Sequence, residues 1–320
     1  MSSYVDLSQL PPERRTAELA EKVHEEWGGG PRGFIGGWWI QREVNAALIT
    51  QLAIRLDGDI GKLTHLTADL LAPIFSADWI TLRGEIVHAG ATSRTVDFVV
   101  EKTIDGSAIT FDSTGDPEVG GGATLLDPPQ LLVRGRAVFE VPVARQRKPL
   151  PRVEGLDPAP PPSFAGRPTP TSIVDISKIS PDRTKVEMVE KVHDEWSGPG
   201  PRGLVGPGWV LREAGWMVSE LGLRLDGDSG LVARYDVAFD ASLHAADWAR
   251  LTAEITAIGN TSRTMRFVVE KTIDASNVVF DDRPSAEFGG GAEILDPPVV
   301  VAKGEIVFVV PRARQRLPLR

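Results

Sequence analysis

The chain has 320 residues, of which 42% are hydrophobic and 25% charged, with a formal net charge of −9 and no cysteine. This length suits about two domains of ordinary size, and the composition supports a packed core in each. The acidic balance argues against nucleic acid or anionic membrane as a partner, and the missing cysteine excludes disulfides, thiolate metal sites and a cysteine nucleophile.

The first twenty residues are polar and proline-bearing, unlike a signal peptide. No run of about eighteen residues is apolar enough to span a membrane, so the expected location is cytoplasmic. The heptapeptide Glu21–Trp27 (EKVHEEW) returns as Glu190–Trp196 (EKVHDEW), and Thr92–Asp105 returns as Thr261–Asp274, both at an offset of 169 positions. A constant offset over half the chain indicates a duplicated domain rather than an array of small repeats. The expected division is a first domain over 1–148, a Pro/Gly/Ala-rich extended linker over 149–171, and a second domain over 172–320.

Taken in chain order, the second copy opens with Pro181 to Trp196. Ser180 stands as cap, Pro181 at the first helical position, and Val186, Val189 and Val192 are spaced for a short amphipathic helix. Trp209 to Leu225 carries Val210, Ala214, Met217, Leu221 and Leu225 at steps of three and four, the face of a longer helix. Asp226-Gly227-Asp228 is a tight turn. Strands are expected over Leu231–Phe239, Leu251–Ile258, Thr264–Ile273 and Val299–Val310. Each copy is thus α+β, with a long helix wrapped by four or five antiparallel strands and an extra helix in front.

The ordered set Asp226-Gly227-Asp228-Ser229-Gly230-Leu231, Tyr235, Phe239, Asp247, Gly259-Asn260-Thr261-Ser262-Arg263 and Leu295-Asp296-Pro297-Pro298 resembles the hotdog-fold acyl-CoA ammonia-lyases that act on 3-aminobutyryl-CoA and β-alanyl-CoA. The resemblance covers about Gly203 to Pro311 and, more weakly, Gly33 to Pro142. It departs from the family in being doubled, and implies a tandem (double) hotdog. It also implies a lyase that adds an amine to, or removes it from, the β-carbon of an acyl thioester. The substrate would be carried on CoA or acyl carrier protein, with no metal or redox cofactor, and the hotdog pair would be intramolecular, with further homo-oligomers open.

Such an elimination needs a base for the α-proton, donors for the enolate oxygen, and a proton relay for the amine. The N-terminus of the long helix supplies donors. Glu213 and Glu220 lie two turns apart on one side of that helix and are the carboxylate candidates for the base, with Trp216 between them as a pocket wall. Glu220 matches a glutamate that the resemblance implies. The plainer alternative is that both edge the apolar face and meet solvent or an arginine. In the first copy Gln51 replaces Glu220, which would leave that site altered or inactive. Glu43 and Asn45 are its polar candidates, although Glu43 also suits a helix-start carboxylate favouring the dipole. Tyr235 is a candidate donor from its strand. His65, present only in the first copy, can titrate near neutrality. Arg94 and Arg263 follow a turn and suit CoA phosphates, or else end a solvated strand. A hotdog thioesterase uses the same equipment and is the alternative activity. A pathway-specific hotdog enzyme, or an acyl-binding protein with one degenerate site, is the third reading.

Overall fold

A computed structural model describes residues 3–24, 33–35, 43–109, 122–155, 160, 171–193, 203–277 and 291–318. The chain divides into two units, Met1–Arg167 and Pro168–Arg320. The first unit opens with β1 (Ser3–Val5), a helical turn (Pro12–Arg15) and β2 (Thr16–Lys22). After β3 (Phe34–Ile35) comes the central helix, in π geometry over Val44–Ile49 and α geometry over Thr50–Asp57. There follow β4 (Lys62–Leu70), β5 (Ile74–Phe75), β6 (Trp79–Ala89), β7 (Ser93–Asp105), β8 (Thr124–Glu140) and β9 (Arg152–Glu154). Strands pair antiparallel in the order β4-β8-β7-β6-β2.

The second unit repeats the plan. A turn at Pro181–Thr184 leads into β10 (Lys185–Lys191), then β11 (Leu204–Val205) and the central helix Pro207–Asp226. β12 (Leu231–Phe239), β13 (Leu243–His244), β14 (Trp248–Ile258), β15 (Ser262–Asp274) and β16 (Glu293–Val309) complete it. The order is β12-β16-β15-β14-β10, all antiparallel. Among the described residues, no helix is long and apolar enough to cross a membrane.

The central helix lies along the sheet because its apolar stripe needs cover. Trp209, Ala214, Met217, Leu221 and Leu225 are buried, as are Phe239, Leu251, Phe267 and Phe308 of the strands. Fully burying each large side chain contributes roughly 1.5–3 kcal/mol. The helix ends at Gly227, whose φ of 76° takes the left-handed turn that glycine adopts without a Cβ penalty.

Two sequence expectations need correction. The segment expected as an amphipathic helix from Pro181 is helical only to Thr184; Lys185–Lys191 is an edge strand on β14. Val186, Val189 and Val192 fit a helix face equally well, but the free edge of β14 offers hydrogen bonds to the whole segment, and Val189 is left 57% exposed. Residues 194–196 of that expected helix, and Trp27 and Trp196 with them, lie outside the described residues. The linker also begins later than expected, since Arg152–Glu154 pairs with Ser3–Val5.

The two central helices differ by one residue. Fourteen positions separate Glu43 from Asp57, against thirteen between Glu213 and Asp226. The extra residue is absorbed in the π segment, where the Thr50 N–H donates five residues back to the Asn45 carbonyl and the Thr50 hydroxyl donates to the same oxygen at 3.0 Å. The buried faces therefore stay in step on both sides of the insertion: Val44 corresponds to Ala214, and Leu48, Leu52 and Leu56 to Met217, Leu221 and Leu225.

Candidate active site

Burial separates the expected site residues. Glu213 is 1% exposed, whereas the Glu220 side chain is 45% exposed and accepts a hydrogen bond from Arg224 Nε at 2.7 Å. Glu220 is therefore one half of a solvated ion pair spaced i,i+4, worth a few tenths of a kcal/mol, which is the plainer of the two readings weighed for it. Trp216, expected to line a pocket, is 59% exposed on the outer face of the helix. Gln51 stands at the Glu220 position, so the change to an amide there does not bear on whether the first unit is competent. Glu220→Gln should leave turnover within about twofold of wild type, because a surface pair of this kind carries almost no energy; a loss beyond tenfold in steady-state assays would return Glu220 to the site.

Arg94 and Arg263 are turned into the protein and not toward solvent. Each is fully buried, and Arg263 holds Asp226, the last residue of the central helix, with Nε and Nη2 at 2.9 and 2.5 Å. Its Nη1 donates to the Gly259 and Ser262 carbonyls. Arg94 repeats this arrangement on Asp57, Gly90 and Ser93. The arginine read from sequence as a partner for CoA phosphates or the end of a solvated strand ties the helix end to the β-turn. Asp247, another residue of the resemblance, is also structural: it accepts from the His244 and Ala275 backbone N–H groups and lies 3.5 Å from Lys271 Nζ.

What remains is built around Glu213. Its carboxyl receives Arg212 Nε at 2.5 Å and lies in hydrogen-bonding contact with the carboxyl of Glu190 on β10. Burial, opposed by Arg212 and reinforced by Glu190, pushes the Glu213 pKa up to about 7. Oε2 of Glu190 is buried without a hydrogen-bond partner among the described residues, and so is Nε1 of Trp209, one helical turn before Glu213 on the same face. Helical side chains lean toward the N-terminus, so the Glu213 carboxyl overlies the turn that leads back to the helix start, where no side chain caps Gly206 and the Trp209 N–H donates to the Gly206 carbonyl at 3.2 Å.

Glu190 was missed because its segment reads as a helix; the signal was present in the close repetition of Glu21–Trp27, which keeps a glutamate at both positions. In the first unit Glu21 and Glu43, both half-buried, occupy the corresponding strand and helix-start places. Asn45 and Gln51 are half-buried, and the Gln51 Oε1 has no partner among the described residues. His65 faces Thr67 Oγ1 at 3.2 Å. Tyr235 is buried in the alternation Ala233, Tyr235, Val237, Phe239, and burial raises its phenol above the ordinary range. Among the described residues it makes no hydrogen bond to Glu213 or Glu190.

No family model matches the chain. Over 133 residues, 41% of this chain and 95% of the other, it is 35% identical to the 3-aminobutyryl-CoA ammonia lyase of Acetoanaerobium sticklandii. The β-alanyl-CoA:ammonia lyase structure from Clostridium propionicum is 23% identical, covering 42% of this chain and 91% of that one with a TM-score of 0.37. The 12:0-ACP thioesterase from Umbellularia californica is 9% identical with a TM-score of 0.51, covering 92% of this chain and 93% of that one. Likeness at that identity speaks for the fold alone, which is the hotdog fold.

Proposed function

The chain belongs to the family of the 3-aminobutyryl-CoA ammonia lyase, and from that premise we propose that the unit Pro168–Arg320 removes ammonia from, and adds it to, the β-carbon of an acyl-CoA thioester, with Glu213 as the base. The observation that carries this reading is a buried carboxyl with a pKa near neutrality, less than two turns in from the N-terminus of the central helix, which no side chain caps. A general base is most effective when its pKa lies near the working pH, and an uncapped helix N-terminus favours a developing enolate oxygen.

In the elimination direction, the Glu213 carboxylate takes the α-proton while the thioester carbonyl, aimed at the helix N-terminus, accepts the electron pair as an enolate. The enolate collapses, its electron pair becoming the Cα–Cβ double bond of the unsaturated thioester, while the C–N bond breaks and ammonia leaves with the C–N bonding pair. The proton held by Glu213 then passes to ammonia, so the products are enoyl thioester and ammonium. Proton transfer and a polarised carbonyl suffice, so the reading calls for no metal or redox group. On this reading two hotdog units follow one another in the chain, and Glu21 and Glu43 give the first unit the same pair of carboxyl positions.

The test is mass spectrometry of the full chain with crotonyl-CoA and ammonium, where a gain of one ammonia is expected; release of free CoA would replace this reading with the thioesterase one. In the reverse direction, kcat/KM with 3-aminobutyryl-CoA should climb with pH and level off above about 7, as Glu213 loses its proton.

A further inference from the structure

The site around Glu213 is incomplete in a specific way. Two carboxyls, from the central helix and from β10, meet, and Arg212 is the guanidinium bonded to Glu213 among the described residues. One acceptor, Glu190 Oε2, and one donor, Trp209 Nε1, are buried without partners among the described residues, although Trp209 is only 1% exposed. A buried polar atom left unpaired costs about 1–3 kcal/mol, and two of them within a turn of the same carboxyl mark a place that a ligand completes. With both carboxyls ionised, the cluster carries, among the described residues, one negative charge more than Arg212 neutralises. The missing group is therefore a compact cation that donates hydrogen bonds, joined to or accompanied by an acceptor for the indole N–H.

We propose that Glu190 is the ammonium subsite: its Oε2 accepts a hydrogen bond from the β-ammonium of the bound thioester and, in the reverse direction, from the incoming amine. This rests on the lyase reading above and adds a residue and a ligand class to it. The ammonium brings the charge that the cluster lacks, so its arrival favours the ionised Glu213 that the reaction needs. When the C–N bond breaks, ammonia is released in contact with the carboxyl pair, and the α-proton held by Glu213 reaches it across that contact. Trp209 Nε1 completes the pose by donating to the acyl portion of the substrate, one helical turn toward the carbonyl-binding end.

Because Glu21 occupies the corresponding position in the first unit, the test compares E21Q with E21Q/E190Q, using the full chain. In ammonia addition to crotonyl-CoA, the second variant should show a KM for ammonium at least tenfold higher, with the KM for crotonyl-CoA unchanged within twofold; aspartate in place of Gln at 190 should restore part of the loss. A purely structural role would lower kcat and melting temperature with both KM values unmoved, and that result overturns the proposal. Thermal melting with ammonium chloride against tetramethylammonium chloride at equal ionic strength keeps this separate from the lyase reading. An ammonium-specific rise that E190Q abolishes, in a protein without turnover, supports the subsite and removes the lyase reading. Absence of any ammonium-specific rise in the parent, together with unchanged ammonium KM, overturns the subsite.

Discussion

Glu213→Gln should lower kcat for ammonia addition and elimination by about 10²- to 10⁴-fold, the usual contribution of a positioned general base, while making the folded protein more stable above neutral pH. The two effects have one cause. Glu213 titrates near 7 in the folded chain against an ordinary value of 4.5, chiefly because burial disfavours its charge. Below about pH 4.5 the side chain is protonated whether the chain is folded or not, and it costs nothing. As pH rises toward 7 the unfolded chain releases this proton more readily than the folded one, so stability is lost across that window and stays lost above it. The penalty is about 1 to 3 kcal/mol, and a neutral glutamine, which keeps the size and can still accept from Arg212, escapes it. Melting curves at pH 5 and pH 8 check this. The variant should match wild type at the lower pH and exceed it at the higher one. A variant that melts earlier at pH 8 would mean that the charged form is stabilised rather than strained.

The second large effect is on stability. Arg263→Ala should destabilise the unit by roughly 3–5 kcal/mol, because it leaves the Asp226 carboxylate buried without its counter-charge. For a unit of this size that is about 6–20 °C in Tm. The Gly259 and Ser262 carbonyls lose their donor at the same time. Arg263→Met with Asp226→Leu should recover much of the loss, since replacing a buried pair by apolar groups is often neutral. Calorimetry of the single and double variants decides the matter. If Arg263→Ala melted with wild type and instead raised the KM for the CoA thioester, the arginine would belong to the ligand and not to the helix end.

Much of the first-order architecture was legible in residue order. Trp209 to Leu225 carries a helical stripe with too little polar surface to stand alone, and the helix runs Pro207–Asp226. The expected strands fall within β12, β14 and β15 and, but for Val310, within β16. The site was less legible. Glu213 and Glu220 are seven residues apart, so helical geometry gives them one azimuth. Azimuth does not say which stretch of that line is covered. Beside Glu213 the edge strand brings Glu190; at Glu220 the helix faces solvent, and Arg224, bonded to the Asp182 and Lys185 carbonyls, is its neighbour.

Local sequence alone determined the duplication, the central helix, the strand runs and the glycine turns, because these follow from periodicity and backbone preference within a few residues. Tertiary structure decided three things. It turned Lys185–Lys191 into a strand, since an open sheet edge outbids a weak helical stripe for backbone hydrogen bonds. It absorbed the inserted residue of the first unit in a π-turn, so that the packing face stays continuous. It also buried Glu213 and left Glu220 in solvent, because the pKa of a carboxyl is set first by how far its surroundings exclude water and then by its neighbours, among which Glu190 comes from a strand more than twenty residues earlier in the chain.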